Sequence, residues 1–588
     1  MSSLRNFISN IFKEAFERCG LPGNLGDVAV SQRPELGQFQ NSGALAAGKA
    51  AGKKPFELAQ EIARSLDHTE IFAAVTVAPP GFINVKVSDS FIASFIDRLF
   101  DDPRLGCPRV TSPRNIVMDF GGPNVAKAMH VGHLRSSIIG DSLQRLFTFM
   151  GDCVTSDIHL GDWGLPMGML ITELKRRQPD LPYFDESRDG AFPDDPPVTI
   201  TDLEELYVTA AVRCNADADL LGEAQKATVE LQRGRPGYRA LWRQFVDVSI
   251  AALHRDFDAL GVSFKLWHGE SRYQDRICTI IERLESKGYA VRSEGALVIP
   301  VTDEGDDEPI PPFMLMKADG GFLYGTTDLA ALDERVHDLN AHAIFYVVDK
   351  RQSLHFRQLF RAARKTGLAG NSELQHVAFG TMNDLDGKPF KTRSGGVMKL
   401  MDLIAMVTDA ASNRMAQAEL ANSSSEADRS RIARQVGLAA LKFGDLMHER
   451  SMDYVFDLDR FARFEGRTGP YLQYTGVRIR SIFHKSDGEH RARGVILPPV
   501  GSVERDLMLT LSELPDSMLK AYEQQAPHFL CDFAFRLAQD FNRFYHQCHI
   551  LGESDPERKI SWLKLSQLSL RQLELLTSLL GIEIPLEM

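Results

Sequence analysis

The stretch that most limits how this chain can fold runs from Asn115 to Phe147, NIVMDFGGPNVAKAMHVGHLRSSIIGDSLQRLF. A short apolar run, Ile116 to Phe120, reads as a buried strand. A Gly-Gly-Pro-Asn turn follows, and a helical period then continues to about Met150, where Gly151 ends it. Strand, tight turn and helix start, in that order, are how an open α/β sheet builds an anion site. The first-turn N–H groups have no partner inside the helix, and the helix dipole favours negative charge there. The same turn carries His130 and His133, three residues apart and so on one helix face. Gly132 lies between them, with no side chain to keep a planar ring off the backbone, and Lys127 stands just upstream as a movable positive charge. Two imidazoles, a bare backbone and a lysine at one helix start suit a nucleoside triphosphate.

Blander readings make the two histidines surface or core residues. A zinc site needs a third and a fourth ligand, and nothing nearby supplies them at metal spacing, so no metal ligand is assigned. A dinucleotide site would show G-x-G-x-x-G after the strand and a Walker loop would show G-K-[ST]; neither is present. What favours the triphosphate is the strand, turn, lysine and helix together.

With 588 residues, the chain is long enough for about three or four domains. Its net charge of −12 means that a nucleic-acid partner must be met by local basic patches, not by a global field. Seven scattered cysteines without a C-x-x-C point to a reducing compartment. No apolar run approaches the roughly 18 residues of a membrane span. The amphipathic, acid-bearing N-terminus lacks the apolar core of a signal peptide. Cytoplasm, with no membrane contact, is the expectation.

Residues 1–108 read as a small α+β module. It has helices near Leu4–Cys19, Asn41–Lys54 and from Pro55, and paired strands about Pro79-Pro80-Gly81. From 109 to 375 strands and helices alternate, the pattern of a parallel sheet. A Pro- and Asp-rich insertion at about 178–236 interrupts it, with the PDLPYFDESRDGAFPDDPP stretch expected as a solvated loop. His159, Gly161 and Asp162 should lie at or beyond the C-terminal end of a strand, the ligand side of such sheets. Residues 376–435 connect this part to a helical bundle at 436–588, with SSSEADRS, Ser423–Ser430, expected as a mobile loop.

The segment GPNVAKAMHVGHLRSS resembles the HIGH-containing segment of class I aminoacyl-tRNA synthetases, and its wording is closest to the arginyl-tRNA synthetase family. HLGDWG (from His159), GGFLYGTTDLAA (from Gly320), FKTRSG (from Phe390), FEGRTGPYLQY (from Phe464) and FNRFYHQC (from Phe541) are similar to that family's segments, in its order. The resemblance spans essentially the whole chain. It implies a multidomain α/β protein: a Rossmann-like parallel-sheet catalytic domain, an N-terminal α+β module contacting the tRNA elbow, and a C-terminal α-helical anticodon-binding bundle. The implied function is arginine–tRNA ligation using ATP, with Mg²⁺ carried by the triphosphate. Its partners are L-arginine and tRNA(Arg), and a monomer is expected.

By motif position, His130 and His133 donate to the phosphates, with ATP over Val131 and Gly132. The loop GKPFKTRSGG stands where most class I members have K-M-S-K; Lys391 and Arg393 supply its charge and Lys127 compensates for the degeneration. Asp328 receives the guanidinium beside Tyr324. Asn124 and Gln352 hold the amino acid's α-groups, and Asp119 is a further candidate for the α-ammonium or the guanidinium. Contacts with tRNA fall to Phe39, Asn41, Phe82 and Asn84 in the N-terminal module. In the bundle they fall to Arg467, Tyr471, Tyr474, Arg478, Asn542 and Tyr545, where arginines interleave with aromatics.

Two rivals share the motif. Another HxGH nucleotidylyltransferase is disfavoured by the N-terminal module and the long bundle. A repurposed or non-catalytic paralogue is disfavoured by the intact His pair, Lys127, Asp328 and Gln352.

Overall fold

The computed structural model describes residues 3–33, 35–66, 70–188, 190–318, 321–388, 398–420, 425–486 and 494–588. They form two compact units: Thr111–Asp409 with His448–Asp457, and Met1–Val110 with Ala410–Met447 and Leu458–Met588.

The first unit is built on a parallel four-stranded sheet in the order Glu373–His376, Ala343–Val347, Asn115–Phe120, Cys153–Asp157. Asn115–Phe120 has a strand on each side and is buried from Ile116 to Phe120, which explains its unbroken apolar run. The helix Val131–Met150 returns across the sheet. Its Gly140 permits the close approach, since a Cβ there would lie 2.3 Å from the Phe120 ring. Ser136 Oγ accepts from the Gly121 N–H at 2.8 Å and donates to the Val347 carbonyl at 2.6 Å, which pins the helix to the carboxyl ends of two strands.

Four helices, Leu165–Arg177, Ile200–Ala216, Ala218–Gln232 and Pro236–Leu260, pack around an apolar cluster of their own. That cluster corrects the reading of residues 179–197 as a solvated loop. Tyr183 and Phe184 are buried in it, and Tyr183 stacks on Phe192 at 5.5 Å. Acidic and proline-rich composition marked a loop, but the aromatic faces within it have enough apolar area to be drawn inward.

In the second unit an antiparallel sheet runs in the order Ala29–Val30, Phe39–Asn41, Phe82–Val87, Phe72–Ala78. The helix Asp89–Asp101 then joins the C-terminal helices through Asp97–Lys564 at 2.6 Å and Asp89–Arg505 at 2.7 Å. The bundle includes Glu426–Leu446, Gly469–Lys485, Ser502–Leu511, His528–Gln547 and Pro556–Leu579. Ser423–Ser430 is not a loop throughout. Residues 423 and 424 lie outside the described ones, whereas Ser425 caps the helix beginning at Glu426, its Oγ accepting from the Asp428 N–H at 3.1 Å. A serine cluster and an N-cap look alike in sequence. Among the described residues no helix is long and apolar enough to cross a membrane.

Candidate active site

The carboxyl ends of Asn115–Phe120, Cys153–Asp157 and Ala343–Val347 lie along one edge of the parallel sheet, the edge where such sheets bind ligands. The turns leaving those strands carry Asn124, His159 and Gln352. Two turns are tied directly, the Val125 N–H donating to the Gly161 carbonyl at 3.0 Å and the Gly161 N–H to that of Pro123 at 3.2 Å. Gly161 must be bare, because a Cβ there would sit 2.1 Å from Asn124 Oδ1.

His130 is the N-cap of the helix that begins at Val131. Its Nδ1 accepts the Gly132 N–H at 3.0 Å, while His133 Nδ1 accepts the His130 N–H at 3.2 Å. The two rings are 4.0 Å apart between centroids. With both Nδ1 atoms accepting, each neutral ring carries its proton on Nε2 and presents a donor away from the helix. Burial, then the charge of Lys127, lowers the His130 pKa; burial, then His130 and Lys127, pushes His133 down to about 3. Gly132 has a stricter role than leaving the backbone bare for a ligand: a Cβ would lie 2.7 Å from His130 Cε1, so the glycine gives the capping ring its place.

Lys127 is half-buried, with its ammonium 4.3 Å from the centroid of the Tyr207 ring. Lys391 and Arg393 lie outside the described residues. The chain that follows them is fixed beside the histidines: the Val131 N–H donates to the Met398 carbonyl at 3.1 Å and the Leu400 N–H to that of Met129 at 2.9 Å.

Asp328, in the helix Tyr324–His337, is held by two histidines. His355 Nε2 lies 2.6 Å from its Oδ2, and His159 Nε2 lies 3.4 Å from its Oδ1 in an ion-pair contact without hydrogen-bond alignment. Burial alone would raise the Asp328 pKa, but the two histidines hold it well below the usual carboxylate range. Burial likewise opposes the His159 imidazolium, but Asp328 and Asp119 outweigh it and lift His159 to about 9. Tyr324 is 58% exposed, its ring centroid 4.9 Å from that of His355. Gln352 is exposed at the N-cap of Ser353–Lys365.

Asp119 already has a cation. Arg335, 1% exposed, reaches it at 2.7 Å and Asp157 at 2.9 Å. Burial still raises the Asp119 pKa despite Arg335. Two further groups went unnoticed in sequence. Glu270 is pushed up to about 7, mainly by burial, with Asp328 and Asp162 acting in the same direction against His159. Arg335 stands seven residues after Asp328 and so on the same helix face, a periodicity that could have singled it out.

In the second unit, Phe39, Asn41 and Asn84 are buried. The Asn41 amide donates to the Leu25 and Asp27 carbonyls at 2.8 and 2.9 Å, and Asn84 Oδ1 accepts from Gln40 at 2.8 Å. These residues build the sheet, while Phe82 is half-buried. In the bundle the Arg478 guanidinium lies between the Tyr474 and Tyr545 rings, 4.7 and 5.3 Å from their centroids, and donates to Asn542 Oδ1. Buried Asn542 donates to the Tyr471 hydroxyl at 2.9 Å and to Thr475 at 3.0 Å. Arg467 pairs with Asp532. Two open cavities flank the cluster. One, of about 500 Å³, has Arg414, Arg463, Phe464 and Tyr474 in its lining; the other, of about 410 Å³, has Tyr471, Asn542, Arg543 and His546.

Comparison with known proteins is consistent across the chain. The family model for the class I (R) tRNA synthetase catalytic domain matches residues 96–458, that for the DALR anticodon binding domain 472–588, and that for the arginyl tRNA synthetase N-terminal domain 5–87. The arginine–tRNA ligase of Alkaliphilus oremlandii is 47% identical and that of Maricaulis maris 48% identical, each aligned over 100% of both chains. The crystal structure of arginyl-tRNA synthetase from Plasmodium falciparum superposes with a TM-score of 0.82 at 25% identity, covering 100% of both chains. The Thermus thermophilus arginyl-tRNA synthetase, 22% identical over 100% of both chains, shares the fold with a TM-score of 0.79. The chain belongs to the arginyl-tRNA synthetase family of class I aminoacyl-tRNA synthetases.

Proposed function

We propose that this chain is an arginine–tRNA ligase that activates L-arginine with ATP and transfers it to the terminal adenosine of tRNA(Arg) at the carboxyl edge of its parallel sheet. The observation that carries the site assignment is Asp328, a half-buried carboxylate held ionised at the same sheet edge as the capped histidine pair. A guanidinium is planar, permanently charged and has five donors; a buried carboxylate accepts it through two parallel hydrogen bonds that lysine cannot reproduce. Glu270 adds a second carboxyl group beside Asp328.

In the first step an arginine carboxylate oxygen attacks the α-phosphorus of ATP, the bond to the bridging oxygen breaks, and pyrophosphate leaves. Negative charge gathers on phosphate oxygens, so the chain acts mainly by positioning and electrostatic stabilisation. His130 and His133 donate from Nε2, and Lys127, Lys391 and Arg393 supply positive charge. Asn124 and Gln352 hold the α-groups of arginine. Asp119, paired with Arg335, faces the α-ammonium. Mg²⁺ would enter with the triphosphate, held largely by its oxygens and water. In the second step the 2′-hydroxyl of the tRNA's terminal adenosine attacks the activated carbonyl carbon and AMP leaves.

The bundle reads the anticodon, with unpaired bases stacking on Tyr471, Tyr474 and Tyr545 and phosphates meeting Arg467 and Arg478. Phe82 offers the corresponding stacking surface to the tRNA elbow; buried Phe39, Asn41, Asn84 and Asn542 support these surfaces. The chain is read as a monomer. The cytoplasm is the compartment, supported by seven free cysteines. The test is charging of a tRNA(Arg) transcript with labelled arginine, with lysine and canavanine as competitors. Absence of aminoacyl-tRNA at micromolar enzyme would overturn the reading.

A further inference from the structure

We infer that His159 is a specificity-determining residue of the amino-acid pocket: its imidazolium occupies the place of the guanidinium on Asp328, and arginine enters by discharging it, releasing one proton to water. The inference rests on the reading that this pocket takes arginine.

The geometry is that of a stand-in cation. His159 Nε2 lies 3.4 Å from Asp328 Oδ1, although neither ring nitrogen has a hydrogen-bond partner. The backbone carries the ring there at a positive φ of 48°, in the left-handed region. His355 approaches the other oxygen, Oδ2, at 2.6 Å. Each carboxylate oxygen therefore faces an imidazole before any ligand arrives, and a two-pronged guanidinium binding there stands against both rings.

Charged and titratable groups from every neighbouring element set the balance. Asp328 comes from the helix Tyr324–His337, which also supplies Arg335, already committed to Asp119 and Asp157 on the two adjacent strands. Asp162 follows in the same turn as His159, and its carboxylate is held by the Ser271 N–H at 2.9 Å and the Ser271 hydroxyl at 2.6 Å. Glu270 lies alongside, and the Tyr273 ring centroid is 5.9 Å from that of His159. His268, whose Nδ1 has no hydrogen-bond partner, lies 3.9 Å from Glu334.

With Arg335 committed to Asp119 and Asp157, the groups left against Asp328 are the imidazoles of His355 and His159, and His159 is lifted to about 9. A guanidinium beside the same carboxylate places two cations together in a low dielectric, which drives the weaker base to lose its proton. The exchange is one charge for another: the guanidinium enters, neutral imidazole remains, and the proton goes to solvent. The group is discharged by its competitor and takes no part in the bond-making steps.

Calorimetric titration of the full chain with arginine, in two buffers of different ionisation enthalpy, reads the proton directly. At about pH 8 we expect about one proton released per arginine bound, and arginine affinity rising about tenfold per pH unit towards pH 9. His159→Asn should bind arginine without the release. A wild type showing no buffer dependence, or a His159→Asn variant releasing the same proton, would overturn the inference. If that variant does not fold, the wild-type profile decides. Release that has faded by pH 8 belongs to Glu270, near 7, and counts against His159, whereas release that persists at 8 and fades above 9 supports it. Complete absence of arginine binding would overturn the pocket assignment itself and this inference with it.

Discussion

His355 Nε2 stands 2.6 Å from Asp328 Oδ2, so the carboxylate assigned to the substrate guanidinium is ionised and oriented before substrate arrives. Asp328→Asn keeps the shape and removes the charge. Arginine KM should rise by the equivalent of about 2–5 kcal/mol, the cost of leaving a buried charge unpaired, with the KM for ATP unchanged. Steady-state charging with each substrate varied in turn separates the two effects. An equal loss for both would mean that the substitution disturbs the sheet edge and not the pocket.

Gly132→Ala tests the helix start. The added Cβ would fall 2.7 Å from His130 Cε1 and 2.8 Å from its Nδ1, so the ring must turn out of its cap. Loss of the cap costs about 1 kcal/mol of stability. Misplacing the Nε2 donor should cost more, about 2–4 kcal/mol in the activation rate, with arginine binding retained. Single-turnover adenylate formation beside a thermal melt distinguishes them.

Two half-buried histidines of this unit, His133 and His159, make stability fall on both sides of neutrality. His133, depressed to about 3, is neutral in the folded state while the unfolded chain takes up its proton below about 6.5. Its contribution is therefore complete above that value and is lost as pH falls towards 3. His159 has the opposite sign: lifted to about 9, it contributes fully below about 6.5 and loses that contribution as pH rises through 9. Denaturant midpoints across pH 5–9.5 should fall at both ends. His133→Asn should flatten the acid limb alone, and His159→Asn the alkaline limb alone.

Arg335→Met removes the cation between Asp119 and Asp157. Breaking a buried pair from one side costs about 3–5 kcal/mol, because the remaining carboxylates are uncompensated. Urea unfolding at neutral pH should show a loss of that size, smaller at about pH 5 where the carboxylates can begin to take up protons.

The segments legible in sequence were those whose physics is local. The apolar run at Ile116–Phe120, the Gly-Gly-Pro-Asn turn and the histidines three residues apart each announce themselves within one turn, and they form the sheet edge and the capped helix. Asp328 was reached through its motif. Its surroundings were not, because Arg335 meets Asp157 across 178 residues of chain and His355 meets Asp328 across 27, distances that no local period encodes. Composition misread Tyr183 and Phe184 as loop residues for the opposite reason: acidic and proline neighbours dominate the local average, while two aromatic rings decide where the chain packs.

The most direct test is a crystal structure of the chain with a non-hydrolysable arginyl-adenylate analogue. The guanidinium should lie within about 3 Å of the Asp328 carboxylate, and an oxygen of the phosphate-replacing group within about 3 Å of Nε2 of His130 or His133. A guanidinium bound away from Asp328, or a phosphate mimic turned away from both imidazoles, would contradict the account.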